Sequence, residues 1–235
     1  SVFPGYYSAL PATKMGDAQV EQNGHKVIGV ALRSQAKTIH FLRHAEGTHN
    51  KAALAEGRAA YMKIEHLDAR LTDFGKEQCA SLKATSHGIE KEAQLVVVSP
   101  LTRAIQTAML SIDQAEGVPW VALDCVRERA GEHPCDRRRR IPELKEEFPS
   151  IDFDSVDDED DVYWDSLGSK RETDEAMAGR ARELFAWLRT RPETNIAVVT
   201  HSAFLSCLFN KALVAPPHLA KWFENCELRS IYMDL

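Results

Sequence analysis

Residues 38–50 read TIHFLRHAEGTHN, an apolar, β-prone run followed directly by Arg43 and His44 and then by a polar segment. The run predicts a strand over Thr38–Arg43, which delivers the Arg-His pair to the point where the chain leaves the strand. Open α/β sheets bind their ligands at this edge. Arginine offers a fixed fork of hydrogen-bond donors for phosphate, and histidine can attack phosphorus or carry a proton. The stretch therefore predicts phosphoryl transfer through a histidine.

Strand and helix patterns alternate along the rest of the chain. Apolar, β-branched runs predict further strands at Gln94–Ser99, Trp120–Leu123, Asn195–Thr200 and Leu228–Met233. Helical patterns cover a segment that opens at Leu71–Gln78, with Thr72 as N-cap, and the segments Pro100–Asp113, Glu172–Arg191 and Ser202–Leu213. Strands separated by helices predict a three-layer α/β fold with a mostly parallel sheet and helices on both faces. The stretch Glu128–Ser169 breaks the alternation, and we interpret it as an insertion that caps the C-terminal edge of the sheet.

The sequence also predicts a division of the chain into two parts. Residues 1–37 contain turn signals such as Pro4-Gly5 and Asn23-Gly24, and we expect an N-terminal extension that packs on or precedes the domain. Disorder is the alternative for the first half of this extension. Residues 38–235 are expected to form a single catalytic domain.

The composition is typical of a soluble globular protein, with 235 residues, 44% hydrophobic residues and a formal net charge of −6. An acidic chain is a poor general nucleic-acid binder, and no apolar run approaches the ~20 residues that span a bilayer. Five cysteines without a CxxC pair or a zinc-ligand spacing favour reduced thiols in the cytoplasm and leave one disulfide open. We expect a cytoplasmic protein, although secretion stays open because the chain starts at Ser1 without methionine.

Three predicted strands end on residues that suit phosphate chemistry. The first ends at Arg43 and His44, the second leads through Ser99 to Arg103 in the first turn of the next helix, and the third ends at His201. The ends of parallel strands share one edge of a sheet, so two arginines and two histidines can converge there. A single histidine after a strand is more often structural. Three strand ends that all carry arginine or histidine favour a phosphate-binding site instead.

This pattern resembles the histidine phosphatase superfamily, whose type members are the cofactor-dependent phosphoglycerate mutases. That family has Arg-His-Gly after its first strand and an Asn six residues after the His; here Arg43–Ala45 and Asn50 fit that spacing. Its Ser-x-x-x-Arg-Ala-x-x-Thr stretch is matched by Ser99–Thr107, and His201 follows a late strand as the family's second histidine does. The resemblance covers about residues 38–235.

The resemblance implies a mechanism as well as a fold. His44 would attack phosphorus in line and become a phosphohistidine, which water then cleaves. Arg43, Arg103 and His201, together with Asn50, would surround the transferring group and neutralise its oxygens. The implied reaction needs no metal and no other cofactor, because arginine and histidine supply the positive charge.

The leaving alcohol needs a proton, which implies a carboxylic acid near the nucleophile. The family pattern places this acid in a Glu-Arg context before a glycine, and Glu128-Arg129-Ala130-Gly131 matches it one residue more tightly than in the mutases. Glu132 is the rival donor, and both could be ordinary loop carboxylates. Glu46, close to His44 in sequence, is assigned to hydrogen bonding around the site.

The sequence departs from the family pattern at two positions of the first motif. Ala45 replaces the usual glycine, and Gly47 stands where a serine is common, which removes one hydroxyl donor to phosphate. Residues 44–50 together with His133–Arg138 resemble the phosphoglycerate-mutase-like phosphatases of plants, fungi and oomycetes.

Residues 137–140 are four consecutive arginines. Charge runs are usually solvated surface, and a nuclear localisation signal favours exposed termini over the middle of a domain. The run lies in the predicted insertion, and Arg137 and Arg138 match the family's Cys-Asp-Arg-Arg pattern. We therefore expect these two arginines to bind a substrate anion, so that Arg138→Ala should raise KM.

The sequence thus predicts a metal-independent phosphomonoesterase that acts on small phosphorylated metabolites, with no nucleic-acid or membrane partner. A phosphoglycerate mutase is the alternative among enzymes, because only the shape of the cap separates transfer from hydrolysis. A non-catalytic phospholigand-binding protein is the alternative of another class. Relatives of that kind usually lose the nucleophile or an arginine, and both are present here. The substrate and the oligomeric state are not predicted.

Overall fold

The computed structural model describes residues 20–22, 25–27, 36–85 and 93–235. The chain divides between Ser34 and Gln35 into two units. In the first unit, β1 (Val20–Gln22) and β2 (His25–Val27) pair antiparallel. The expected packing or disorder of the N-terminal extension concerns residues that lie mostly outside the described ranges.

The second unit is built around a five-stranded sheet. Its strands are β3 (Ala36–Arg43), β4 (Leu95–Val98), β5 (Trp120–Ala122), β6 (Asn195–Thr200) and β7 (Leu228–Asp234). They follow the order β5-β4-β6-β3-β7, in which β3 to β6 are parallel and β7, at the edge, is antiparallel to β3. The predicted α/β fold with a mostly parallel sheet is confirmed.

The register of the sheet places three strand ends side by side. Arg43 on β3 pairs with Thr200 on β6, and Val98 on β4 pairs with Val199 on β6. The backbone N–H of His44 donates to the carbonyl of Thr200 at 2.9 Å. The motif residues that follow these strands therefore leave the sheet at neighbouring positions.

The described part of the second unit also contains seven α-helices. These are α1 (Thr48–Glu56), α2 (Asp73–Thr85), α3 (Thr102–Ser111), α4 (Ile141–Glu147), α5 (Val162–Leu167), α6 (Asp174–Arg189) and α7 (Ser202–Cys207). Short 3₁₀ segments lie at Arg58–Met62, Ile64–His66, Asp124–Val126 and Pro134–Asp136, and a π-helical segment at Leu208–Ala212 continues α7. None of the described helices is both long and apolar enough to cross a membrane.

Helices cover both faces of the sheet. On β4, Val96 and Val98 pack into a core with α2 and α3, whereas Leu95 and Val97 pack into a second core with α6 and α7. All four side chains are fully buried. A strand that is covered on both faces is apolar at every position, which explains the continuous apolar run in the sequence.

Thr72 couples the segment after His44 to α2. Its hydroxyl oxygen accepts a hydrogen bond from the backbone N–H of Gly75 at 3.0 Å, which confirms the predicted N-cap. The same hydroxyl donates to the carboxylate of Glu46 at 2.7 Å. A Cβ at Gly75 would lie 2.2 Å from the carbonyl oxygen of Glu46, so only glycine allows α2 to approach the motif this closely.

Several predicted helix boundaries are wrong by a few residues; the helix predicted over Pro100–Asp113, for example, spans Thr102–Ser111. The helix predicted from Glu172 begins at Asp174, because Thr173 is the N-cap and its side chain accepts from the backbone N–H of Ala176 at 3.2 Å. The helix predicted over Ser202–Leu213 is α-helical only as far as Cys207, after which it widens into the π-helical segment.

Candidate active site

A cavity of about 260 Å³ lies at the C-terminal ends of the parallel strands, and we call it the histidine cavity. Its lining residues are Arg43, His44, His49, Asn50, Arg58, Tyr61, Arg103, Glu128, His133, Cys135, Asp136, Arg171, Ser202, Ala203 and Trp222. The fold thus brings together five of the residues predicted from the sequence: Arg43, His44, Asn50, Arg103 and Glu128. His201 is fully buried beside them, with its ring centroid 5.0 Å from that of His44.

The imidazole of His44 is held in one orientation. Its Nδ1 lies 2.7 Å from the carbonyl oxygen of Ala45, and because a carbonyl only accepts, Nδ1 carries the proton. The unprotonated Nε2 accepts a hydrogen bond from Nε of Arg103 at 3.3 Å. Burial lowers the pKa of His44 well below its ordinary value of 6.5, and the charges of Arg103 and Arg43 lower it further. His44 is therefore a neutral imidazole whose unprotonated Nε2 accepts from Arg103, and the neutral ring is the form that acts as a nucleophile.

Arg103 is fully buried, and residues of the insertion hold its side chain in place. Its Nη1 donates to the carbonyl of Cys135 at 2.5 Å, and its Nη2 donates to the carboxylate of Asp136 at 2.9 Å. Burial would raise the pKa of Asp136, but the hydrogen bond with His133 and the charges of Arg103 and Arg171 outweigh it and lower the pKa. The ionised carboxylate orients Arg103 toward His44.

Arg43 and His201 each have one buried nitrogen without a hydrogen-bond partner among the described residues. Arg43 donates through Nη1 to the carbonyl of Phe223 at 2.7 Å, and its Nε is the unpartnered nitrogen. His201 shares a hydrogen bond between Nε2 and the hydroxyl of Ser99 at 2.8 Å, and its Nδ1 is the unpartnered nitrogen. Burial, followed by the charge of Arg103, lowers the pKa of His201 well below 6.5.

The two candidate proton donors occupy different places. Glu128 is 8% exposed, lines the histidine cavity and accepts hydrogen bonds from the backbone N–H groups of Arg129 at 2.8 Å and Ala203 at 3.2 Å. Glu132 lies outside the lining of the histidine cavity and has a positive φ of 59°. Only Glu128 is thus placed in the same cavity as His44.

Arg137 and Arg138 are not brought to the histidine cavity. Arg137 donates to the carboxylate of Asp165 at 2.9 Å and lies over the ring of Trp164. Arg138 is 3% exposed, and its guanidinium donates to the backbone carbonyls of Arg139 and residues 158–160 at 2.6 to 3.3 Å. The structure thus places the two arginines that the sequence assigned to a substrate anion away from this cavity, and Arg138 holds the acidic loop of the insertion.

A second cavity of about 460 Å³ shares part of its wall with the histidine cavity, and we call it the adjoining cavity. The residues that line both are Arg58, His133, Arg171, Ala203 and Trp222. Its other lining residues include four with ionisable side chains: Arg129, Glu132, Asp174 and Lys211. The two cavities are therefore neighbours along this shared wall.

Sequence reasoning missed several residues of the histidine cavity. His49 stands one position before Asn50 and is 4% exposed, with its ring centroid 5.8 Å from that of His44. Tyr61 stacks on His133 with centroids 5.4 Å apart. Arg171 donates to the carboxylate of Asp136 at 2.9 Å. The signal for His49 was its place inside the motif, whereas the other contacts join segments far apart in sequence.

His133, Cys135 and Asp136 form a group of possible metal ligands, with ligand atoms within 4.8 Å of one another. The carboxylate of Asp136 already accepts from Arg103 and Arg171. Burial raises the pKa of the Cys135 thiol, which disfavours the thiolate that binds metal. The donor set therefore suits an arginine–carboxylate network better than a metal ion.

The sequence pattern of the histidine phosphatase superfamily (branch 1) matches residues 39–234. The chain belongs to this superfamily. It is 35% identical over 238 residues to a phosphoglycerate mutase-like protein of Arabidopsis thaliana, a match that covers 87% of each chain. As an enzyme of this superfamily, the protein has the Arg43-His44 pair at the C-terminal end of β3.

Two solved structures share the fold at low sequence identity. A phosphoglycerate mutase from Bacillus anthracis str. Sterne has a TM-score of 0.56 and 17% identity, covering 86% of this chain and 89% of its own. The alpha-ribazole phosphatase from Shigella flexneri has a TM-score of 0.54 and 19% identity, covering 82% and 89%. Because one is called a mutase and the other a phosphatase, the fold does not separate the two activities.

Proposed function

We propose that the protein is a metal-independent phosphomonoesterase that hydrolyses small phosphorylated metabolites through a phosphohistidine on His44. The observation that carries the proposal is the orientation of this ring. Its Nδ1–H is tied to the carbonyl of Ala45, and its Nε2 lone pair faces a cavity that also contains Arg43, Arg103 and Glu128.

The first half-reaction forms the covalent intermediate. The Nε2 lone pair of His44 attacks phosphorus, the N–P bond forms, and the bond from phosphorus to the alcohol oxygen breaks. Glu128 gives its proton to the departing oxygen, so that a neutral alcohol leaves. The hydrogen bond from Nδ1 to Ala45 lies on the far side of the ring and helps to stabilise the positive charge that the ring acquires.

The second half-reaction returns the enzyme to its starting state. Glu128, now a carboxylate, takes a proton from a water molecule, and the oxygen of that water attacks phosphorus. The N–P bond breaks, inorganic phosphate leaves, and His44 is again neutral. Arg43 and Arg103 face the equatorial oxygens in both steps and are already fixed by protein hydrogen bonds, so little reorganisation is needed as charge develops.

Access of water favours hydrolysis over phosphoryl transfer to a second substrate. Arg58 is exposed and Trp222 is 54% exposed, and both belong to the wall shared by the two cavities. A mutase must protect its phosphohistidine from water, which an exposed rim does not do. This feature supports the phosphatase over the mutase named as the alternative.

The test compares the wild type with His44→Ala, and with a His218→Ala control at an exposed position outside both cavities. We expect hydrolysis of an aryl phosphate and of a metabolite panel by the wild type and the control, unchanged by a chelator. His44→Ala should lose at least about a thousandfold in kcat/KM. Brief incubation of the wild type with ³²P-labelled substrate should trap an acid-labile, alkali-stable label that His44→Ala lacks.

The same assay identifies the alternatives. Faster interconversion of 2- and 3-phosphoglycerate than release of phosphate would favour the mutase. Binding of phosphorylated compounds without turnover of any of them would favour the non-catalytic binder. Full activity of His44→Ala would disprove the proposed nucleophile.

A further inference from the structure

A third histidine lies in the histidine cavity and has no role in the mechanism above. His49 is in the first turn of α1 and is 4% exposed. Its ring lies between two other rings of the cavity, with centroids 5.8 Å from His44 and 5.8 Å from Tyr61. The imidazole is therefore a polar group held next to the nucleophile.

Neither ring nitrogen of His49 has a hydrogen-bond partner in the described part of the chain. Nδ1 is fully buried without a partner. It faces Gly47, where an added Cβ would lie 2.7 Å from both Nδ1 and Cε1 of the ring. Because Nδ1 is enclosed on this side, Nε2 is the nitrogen with access to the cavity. No hydrogen bond from Nε2 to another described residue is found, so a ligand in the histidine cavity is the partner open to this nitrogen.

The protonation state of His49 suits a hydrogen-bond donor rather than a cation. Burial lowers its pKa well below 6.5, and the charge of Arg103 lowers it further. A neutral imidazole carries one N–H, which can donate to an anion. The neighbouring Gly47 offers no side-chain donor, and its lack of a Cβ is what leaves room for the ring.

We propose that His49 is a further catalytic residue, whose Nε2–H donates a hydrogen bond to an oxygen of the transferring phosphoryl group. This hydrogen bond becomes stronger as the phosphoryl group becomes planar in the transition state. The inference rests on the proposed function, because it uses the same cavity and the same phosphoryl group. It adds a neutral donor to the positive charges of Arg43 and Arg103, and no proton is transferred by His49.

The test uses three substitutions that differ in the donor they place in the cavity. His49→Phe removes the donor and keeps the ring volume. His49→Gln places an amide N–H near the position of Nε2, whereas the shorter His49→Asn places it near Nδ1. His66→Phe is the matched control, because His66 is also buried with an unpartnered Nε2 but does not line the histidine cavity.

We expect His49→Phe and His49→Asn to lower kcat/KM about ten- to a hundredfold, with His49→Gln recovering much of the loss. The affinity for orthovanadate, which mimics the five-coordinate transition state, should fall by a similar factor, and the affinity for inorganic phosphate should fall less. His66→Phe should retain wild-type kinetics and vanadate affinity. Melting temperatures of all four variants separate a loss of folding from a loss of the donor.

Three results would overturn the assignment. These are wild-type vanadate affinity in His49→Phe, equal losses in His49→Phe and His66→Phe, and a better rescue by Asn than by Gln. If His49→Phe does not fold, the comparison of His49→Gln with His49→Asn decides in the same way. Vanadate binding is measured without turnover, so a wild type that binds vanadate but hydrolyses nothing would refute the proposed function and still test His49.

Discussion

The histidine cavity and the adjoining cavity hold their charged side chains in different ways. Arg103, in the first, is fully buried, and its guanidinium donates to the carbonyl of Cys135 and to Asp136. Arg58, in the wall that both cavities share, and Lys211, in the wall of the second, are exposed, and across the described residues neither has a carboxylate within 4.0 Å. The reacting end of a substrate would thus meet fixed groups, whereas its leaving group would meet adaptable ones.

This difference assigns separate tasks to the two regions. Fixed donors stabilise developing charge because they do not have to reorganise, but they accept little variation in the group that they bind. Around the histidine cavity, buried nitrogens of Arg43, His49 and His201 have no hydrogen-bond partner among the described residues, which lowers the stability of the fold. Exposed cations contribute less energy each and can be exchanged at little cost, which suits selection among leaving groups.

The largest predicted effect is a loss of stability at mildly acidic pH. His44, His49 and His201 all have pKa values well below 6.5, because burial and the charge of Arg103 disfavour the imidazolium. Below pH 6.5 the unfolded chain binds protons at these three positions and the folded chain does not, so stability falls as pH falls. Each contributes up to about 1.4 kcal/mol per pH unit once the unfolded-state histidine is fully protonated, or about 4 kcal/mol for the three together between pH 7.0 and 5.5.

Urea unfolding at pH 7.0 and 5.5 measures this loss. His49→Gln should remove about a third of it, and substitution of the exposed His218 by glutamine should remove none of it. The carboxylates with lowered pKa values lose their contribution below about pH 4.5, outside this window. An unfolding free energy that stays constant between the two pH values would contradict the neutral burial of the three rings.

The next effect concerns the fixed part of the insertion. Arg138→Ala should lower the unfolding free energy by about 3 kcal/mol, because it removes a buried guanidinium and leaves the carbonyls of residues 158–160 without their donor. Arg140→Ala is the control, since the Arg140 side chain is 54% exposed and makes surface ion pairs that contribute about 0 to 1 kcal/mol. Thermal or urea unfolding distinguishes the two, while KM should stay within about twofold of the wild type.

A raised KM with unchanged stability in Arg138→Ala would contradict the structure and favour the interpretation from sequence. The sequence assigned Arg138 to the substrate because it lies in a charge run within the insertion. Its acceptors are backbone carbonyls of the loop at residues 158–160, and no residue type records the direction of a carbonyl. Burial of an arginine by backbone acceptors is therefore invisible to pattern analysis.

The fold itself was predictable for a specific reason. β4 and β6 are apolar at nearly every position, and each is followed by residues that suit phosphate chemistry, so strand ends were readable without knowing the strand order. The antiparallel direction of β7 was not readable, because the residues of one strand do not encode the direction of its neighbour. The segment Thr48–Glu56 was not assigned to a helix, since its mixture of polar and small residues has no apolar periodicity.

The sequence named the cavity residues that lie in local motifs and missed those whose place depends on packing. Arg43, His44, Asn50, Arg103 and Glu128 were all named from sequence and line one cavity. Asp136, which fixes Arg103, was not singled out, because the pair joins α3 to the insertion across 33 positions. Residues that position a catalytic group can therefore be identified from the three-dimensional structure but not from the sequence.

The smallest predicted effect tests the exposed wall of the adjoining cavity. Glycerol 2-phosphate and 2-phosphoglycerate differ only in that a carboxylate replaces one CH₂OH group of the leaving alcohol. Arg58→Gln and Lys211→Gln should each lower kcat/KM for 2-phosphoglycerate by a factor of about two to five and leave glycerol 2-phosphate unchanged, because exposed ion pairs contribute at most about 1 kcal/mol. Arg182→Gln, an exposed position outside both cavities, is the control. Equal losses on both substrates would show that these cations act on the phosphoryl group instead, and the separation of tasks between the two cavities would then fail.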